Sequence, residues 1–362
     1  MTNPLWHSIQ TQGLSTVSVM GMSKNTGKTV ALNHLLALAA NAGTTVGVSS
    51  IGRDGEDRDQ VFFIPKPPIR VWPGTLVATA SATLARAKVR CQRLASTGIA
   101  SAMGEIVIVK VLDRGEMEIA GACHGTDQRK VISQLQQCGA ALVLLDGALG
   151  RSHHASPAIA DGVVLATGAA IGGGMLDVIR KTRNRLAILG IAPADEATRA
   201  RCAPLFASAG VALWNRQGEL LLHRPIATLS AAATLLQHAD AELGTIALSG
   251  AVGRVLWQAL RILATRHPGL TVVVADGSKL FIEHADLLAF QKLGGRLLAW
   301  RGIHIVGITL NPCSPLGASF AAEQFLVAAR QAFAGHAVSD VVWEENKTVP
   351  DSSVRTPLKE IR

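Results

Sequence analysis

Two hydrophobic periods alternate along this chain. Residues 15–20 place Val17 and Val19 on one face of a predicted strand. Residues 29–42 set Leu32, Leu35, Leu36 and Ala39 at i, i+3, i+4 and i+7, the spacing of a helix with one buried face. Gly43 stands where such a helix is capped. Residues 45–50 read as the next strand. Further strands are predicted at 105–112, 140–145, 162–166 and 186–191, and helices at 84–95, 127–138 and 175–185. Apolar strands alternating with helices are covered on both faces, which predicts an α/β fold with a mostly parallel sheet. A second series puts strands at 245–249, 270–275 and 303–310 and helices at 254–265, 284–293 and 319–333. It predicts a smaller C-terminal α/β domain. The polar stretch around 237–242 gives the expected division: a first domain over 1–240, a smaller one over 241–343, and a polar tail over 344–362.

Composition narrows the class. Of 362 residues 48% are hydrophobic and 17% charged, enough apolar surface for a large core and against global disorder. The longest apolar runs, 30–42 and 163–176, carry Asn33 and His34 or a glycine cluster, and both fall short of the roughly 20 residues a spanning helix needs. No membrane association is expected. The first residues show no basic segment followed by an apolar one, so the cytoplasm is the expected compartment. Cys91, Cys123, Cys138, Cys202 and Cys313 are odd in number, widely spaced and never C-x-x-C, which points to reduced thiols. A net charge of +9 favours anionic ligands. Aromatics are 4% and Tyr is absent, so stacking platforms for bases are scarce and nucleic acid is not an expected partner.

The strongest chemical signal runs from Gly21 to Thr29, GMSKNTGKT, between a predicted strand and a predicted helix. That is the context of a phosphate-binding loop. Backbone amides of a glycine turn and a helix N-terminus converge on phosphate oxygens. Gly21, Lys24, Asn25, Thr26 and Gly27 form the loop, Lys28 reaches the β- and γ-phosphates, and the Thr29 hydroxyl ligates Mg²⁺. The first domain is therefore predicted to be a P-loop NTPase domain. A glycine turn with no ligand is the plain alternative. Five residues, 22–26, separate the two glycines where the standard loop has four. The longer loop resembles those of dethiobiotin synthetase and the cobyrinate amide synthases. Lys24 lies near where some of that class place a second lysine.

Residues 140–145 form a buried strand that ends at Asp146, followed by glycine. Such an acid stands at the carboxyl edge of the sheet, where it can hold Mg²⁺. An ordinary Asp-Gly turn is the alternative. The stretch 49–59, SSIGRDGEDRD, ends the second strand; Asp54 could hold Mg²⁺ or orient a water, and Arg53 could meet a phosphate. A solvated charged loop explains it equally simply. Residues 62–69 read as a stiff proline-rich connector around Lys66. The catalytic candidates are thus Lys28, Asp54 and Asp146, and the metal candidates Thr29, Asp54 and Asp146. His153 and His154 are adjacent and do not face one site on a regular element. Arg180, Lys181, Arg183 and Arg185 close a predicted helix, where they complement its dipole. The chain has no G-x-G-x-x-G, no guanine-specifying N-K-x-D and no amidotransferase elbow, which favours ATP over GTP or a dinucleotide.

Several segments together carry a closer resemblance: GMSKNTGKT, SIGRDGE, KPPIRVWPGTLVATA (66–80), DGALGR, LATGAA (165–170) and TLNPCSPLG (309–317). They resemble the ATPase subunit of the reactivating factor for lysine 5,6-aminomutase and ornithine aminomutase, over about 20–342. The resemblance implies an ATP- and Mg²⁺-dependent ATPase that drives release of damaged cobalamin from an adenosylcobalamin-dependent aminomutase. It also implies two partners, the mutase and a second reactivase subunit; a homo-oligomer is compatible with it. Two other readings stay open. One is an ATP-dependent ligase of the dethiobiotin synthetase type. The other is a nucleotide-binding scaffold without turnover.

Overall fold

Asn3 and Pro4 start the first helix, α1 (Pro4–Thr11): Asn3 Oδ1 accepts the Leu5 and Trp6 amides at 3.0 and 3.3 Å. In this computed structural model the described residues are 3–50, 68–147, 156–239, 242–315, 317 and 319–343. The chain continues through β1 (Thr16–Gly21), α2 (Lys28–Asn41), β2 (Val46–Ser50), β3 (Ile69–Val71), β4 (Leu76–Ala80) and α3 (Ser81–Leu84). A hairpin of β5 (Cys91–Ser101) and β6 (Gly104–Val111) leads to β7 (Gly115–Met117), α4 (Gly125–Gln137), β8 (Leu142–Asp146) and β9 (Gly162–Gly168). Then come α5 (Met175–Leu189), α6 (Glu196–Ser208), β10 (Val211–Asn215), β11 (Leu220–Arg224), α7 (Ala232–His238) and β12 (Leu243–Leu248). The last elements are α8 (Arg254–Arg266), β13 (Thr271–Val274), α9 (His284–Lys292), β14 (Arg296–Ala299), β15 (Ile305–Asn311), α10 (Ala322–Ala332) and β16 (Ala337–Ser339).

Among the described residues these strands build a nine-stranded sheet, β16-β15-β9-β1-β8-β2-β4-β6-β5, a five-stranded sheet, β11-β10-β12-β13-β14, and the pair β3–β7. The fold is α/β with a large mixed sheet. From β16 to β4 every neighbouring pair is parallel; β6 and β5 add an antiparallel edge. Strand β1 lies inside the sheet between β9 and β8, buried along Val17 and Val19 on the face that receives Leu32, Leu35, Leu36 and Ala39 of α2. Leu32 and Leu35 are fully buried, each stabilising the sheet–helix contact by about 1.5–3 kcal/mol. The opposite face, with Met20 and Leu165, meets Leu189 of α5.

The sequence places a boundary near residue 240, but the sheets do not divide there. Strands β10 and β11 pair into the second sheet with β12, across that position. Strands β15 and β16 return to the first sheet beside β9. The second α/β unit is therefore an insertion between β9 and β15, and the first unit is discontinuous. Helix α5 joins the two, with Val178 and Ile179 packed on β15 and α10 and Ile188 packed in the second core. The unit meets it at close range: a Cβ on Gly277 would lie 2.3 Å from the Ile188 carbonyl oxygen.

Two predicted elements are replaced. Residues 186–191, expected as a strand, continue α5 to Leu189, because Val178, Thr182, Leu186 and Leu189 keep a three-to-four residue spacing on its buried side. Residues 84–95, expected as a helix, hold only the last residue of α3 and then enter β5 at Cys91, whose backbone pairs antiparallel with β6. Apolar residues alternating with Arg86, Lys88 and Arg90 there allow both periods, and the ladder to β6 decides. Among the described residues no helix is long and apolar enough to cross a membrane. The tail over 344–362 lies outside the described residues.

Candidate functional site

Strands β15, β9, β1, β8 and β2 all run the same way, so their carboxyl ends gather along one edge. Ligands of open α/β sheets collect beyond that edge. Strand β1 reaches it at Gly21. The Met22 amide then donates to Ala166 O of β9 at 2.8 Å, which pins the first loop residue to the neighbouring strand. The loop next folds onto itself. Thr26 Oγ1 donates to Ser23 O at 2.8 Å, and Lys28 Nζ reaches the same carbonyl at 3.4 Å. Ser23 Oγ donates to Lys24 O at 3.0 Å.

Two residues take the left-handed conformation that lets so short a path turn: Asn25 at φ 61° and Gly27 at φ 89°. Gly27 is the N-cap of α2, and no side chain caps that terminus. The first turn also holds no acidic residue. Its amides and the positive end of the helix dipole thus converge behind Lys28 and Thr29. At Gly21 a Cβ would stand 2.6 Å from Thr26 Oγ1 and 2.9 Å from Lys28 Cδ, so the cradle closes only around glycine.

Asp146 is the last residue of β8. It is in register with Val19 of β1 and with Ser50 of β2, both at the loop edge. The Gly147 amide donates to Val19 O at 3.0 Å, and a Cβ at Gly147 would meet that oxygen at 2.9 Å. The chain therefore leaves β8 pressed against β1, which holds Asp146 beside the strand that feeds the loop. Gly21, Lys24, Asn25, Thr26, Gly27, Lys28, Thr29 and Asp146 are thus brought to one edge. Asp54 and Arg53, the connector around Lys66, residues 148–151 of the DGALGR segment, and His153 with His154 lie outside the described residues.

Sequence reasoning missed Asn311. At the end of β15, its Nδ2 donates to Asn25 O at 2.9 Å, and its Cβ lies 3.2 Å from where a Gly27 Cβ would be. Asn311 therefore holds the loop from the side of β9 and β15, 286 residues along the chain from Asn25. The TLNPCSPLG segment was visible only as a pattern; no local signal tied it to the loop. Replacing Asn311 with Ala removes one hydrogen bond and leaves the Asn25 carbonyl to water. The expected cost is about 1 kcal/mol of stability. If the loop holds a nucleotide, affinity for a fluorescent ATP analogue should fall several-fold. Unchanged binding and an unchanged unfolding midpoint would show that this bond does not hold the loop.

A second missed contact leads away from the edge. Ser156, ahead of β9, donates its hydroxyl to Asp276 Oδ2 at 2.8 Å. Asp276 is buried at the end of β13 and also accepts the Ser278 amide at 2.9 Å. The segment after β8 is thereby tied to the inserted unit. Neither a protein-family model nor a curated protein sequence matches this chain.

Proposed function

We propose that Gly21–Thr29 is the phosphate-binding loop of a P-loop ATPase, and that the chain is the ATP-hydrolysing subunit of a reactivating factor for an adenosylcobalamin-dependent aminomutase. The observation that carries the nucleotide reading is the closed loop itself: Gly21 and a left-handed Gly27 at the carboxyl edge of a parallel sheet, with Lys28 and Thr29 opening an uncapped helix beside Asp146. Lys28 holds the charge of the phosphoryl group in transfer. Thr29 and Asp146 are the described oxygen donors for Mg²⁺, a hard cation that takes a hydroxyl and a carboxylate readily. When bound, Mg²⁺ neutralises phosphate charge; the loop amides orient the phosphates. Asp54 keeps only its sequence argument. The mutase and the second subunit as partners, and the cytoplasm as compartment, rest on the resemblance and the sequence.

Calorimetric titration of the full chain with ATP, with and without Mg²⁺, followed by phosphate release assays, tests this. Binding at one site per chain and slow turnover without any carboxylate substrate support an ATPase. Turnover that appears only with an added carboxylate supports the ligase. Binding without turnover, with partner proteins present, supports the scaffold.

A further inference from the structure

Arg185 does not belong to the end of its helix. A helix ending at 185 would use the basic run 180–185 to complement its dipole, but α5 runs on to Leu189 and has no basic residue in its last turn. Arg180 and Lys181 pair instead with Asp177 near the start of the helix. Arg185 turns to a cleft of about 720 Å³ between the two units. One wall is the loop edge of the first sheet, with Met20, Gly21, Met22 and Leu165, so the cleft borders the first residues of the loop. The other is the inserted unit, with Arg254, Trp257 and Arg261 of α8 and Leu280 and Phe281 after β13. Strands β12 and β13 are parallel, and both chain segments lining this wall leave their carboxyl ends. The cleft is thus flanked by the ligand-binding edges of two sheets.

Its charges are unbalanced. Among the described residues no carboxylate lies within ion-pair distance of Arg185, Arg254 or Arg261. Among the described residues the Arg185 guanidinium makes one hydrogen bond, a long one of 3.4 Å to Leu280 O. Burial pushes its pKa below the ordinary arginine value. A half-buried guanidinium with one weak bond is an unfavourable arrangement unless an anion completes it. Glu283 and Asp286 also line the cleft. Asp286 is engaged locally, accepting the Glu283 amide at 3.1 Å where α9 begins. Three arginines face two acids, so the lining is net positive. Gln258 adds an uncharged polar group, and Met22, Phe281 and Ile282 supply apolar surface, with Phe281 53% exposed.

We propose that this cleft is a second ligand site, for an organic anion with an apolar body, whose acidic group is held by Arg185 together with Arg254 and Arg261. The volume falls within the roughly 300–1,000 Å³ of small-molecule pockets. The site stands on the opposite face of the sheet from α2, and its argument does not require the loop to bind nucleotide.

The test uses the full chain and 8-anilinonaphthalene-1-sulfonate, an aromatic anion whose fluorescence rises on binding. Saturable binding at one site is expected. Arg185→Gln and the Arg254→Gln/Arg261→Gln pair should each weaken it about tenfold, the scale of a lost charged hydrogen bond. Both residues of that pair are exposed, so it stays readable if Arg185→Gln disturbs packing. Arg224→Gln/Arg296→Gln, which removes two exposed arginines outside the cleft, should leave binding unchanged. So should Lys28→Ala and saturating ATP. Wild-type affinity in the cleft variants, equal weakening in the control pair, or non-saturable binding would overturn the proposal. Displacement by ATP, with weakening by Lys28→Ala, would overturn it too, by placing the probe at the loop. Failure of the nucleotide reading shows separately, as absent ATP binding with probe binding intact.

Discussion

Lys28→Ala is expected to lower ATP turnover by about 10²–10³-fold, the range for losing one preorganised charge contact in a transition state. The loss should fall mainly on kcat, because charge on the γ-phosphoryl oxygens is best met in transfer. The fold should survive. Lys28 is the first residue of α2 and is only half-buried, while the helix is anchored by Leu32, Leu35, Leu36 and Ala39 further along. Alanine is also the best helix former. An unfolding midpoint within experimental error of wild type, beside the lost turnover, is the expected pair of results. Near-wild-type turnover would remove the phosphate-loop assignment. Gly21→Ala makes a useful contrast. Its Cβ would crowd Thr26 Oγ1 and Lys28 Cδ, so turnover should fall together with loop order rather than by loss of charge.

The parts of this fold that could be read from the chain are those whose cause is local. The β1–loop–α2 unit needs only an alternating strand, two glycines and a helical stripe, all within residues 16–41. Helices α4 and α8 are plain for the same reason. What failed was settled far away in sequence. Nothing in residues 305–311 says whether they pair with β14, nearby in the chain, or with β9, over a hundred residues earlier; their ladder to β9 is a tertiary choice. The polar stretch at 237–242 therefore falls within the inserted unit rather than at its boundary. Residues 91–101 are small and polar enough to follow either period until β6 pairs with them. The same limit applies to the site. Lys28, Thr29 and Asp146 carry their signals in their own neighbours. Asn311 and Arg185 do not, because each acquires its role from a partner segment, the Asn25 carbonyl or the cleft beside Leu280.

Thr29→Ala and Asp146→Asn are expected to act as one unit. Thr29 lies in the first turn of α2, and Asp146 ends the strand next to β1, which feeds that turn. Two oxygens that hold the same Mg²⁺ cannot be lost twice. Each single variant should reduce Mg²⁺-dependent turnover by about 10- to 100-fold, and the double variant should be little worse than the weaker single. The coupling is then expected to be about 1–3 kcal/mol, well outside the few tenths seen for independent sites. Excess Mg²⁺ should partly restore each single variant, because the defect is in holding the ion. Asparagine keeps the shape of Asp146 and removes its charge, so the strand end and the Gly147 bond to Val19 should persist. The cycle is read from turnover at several Mg²⁺ concentrations, with the unfolding midpoint as control. Losses that simply multiply, with no rescue by Mg²⁺, would assign Thr29 and Asp146 to different tasks. Asp146 would then be a strand-end turn residue, and the metal would need another donor.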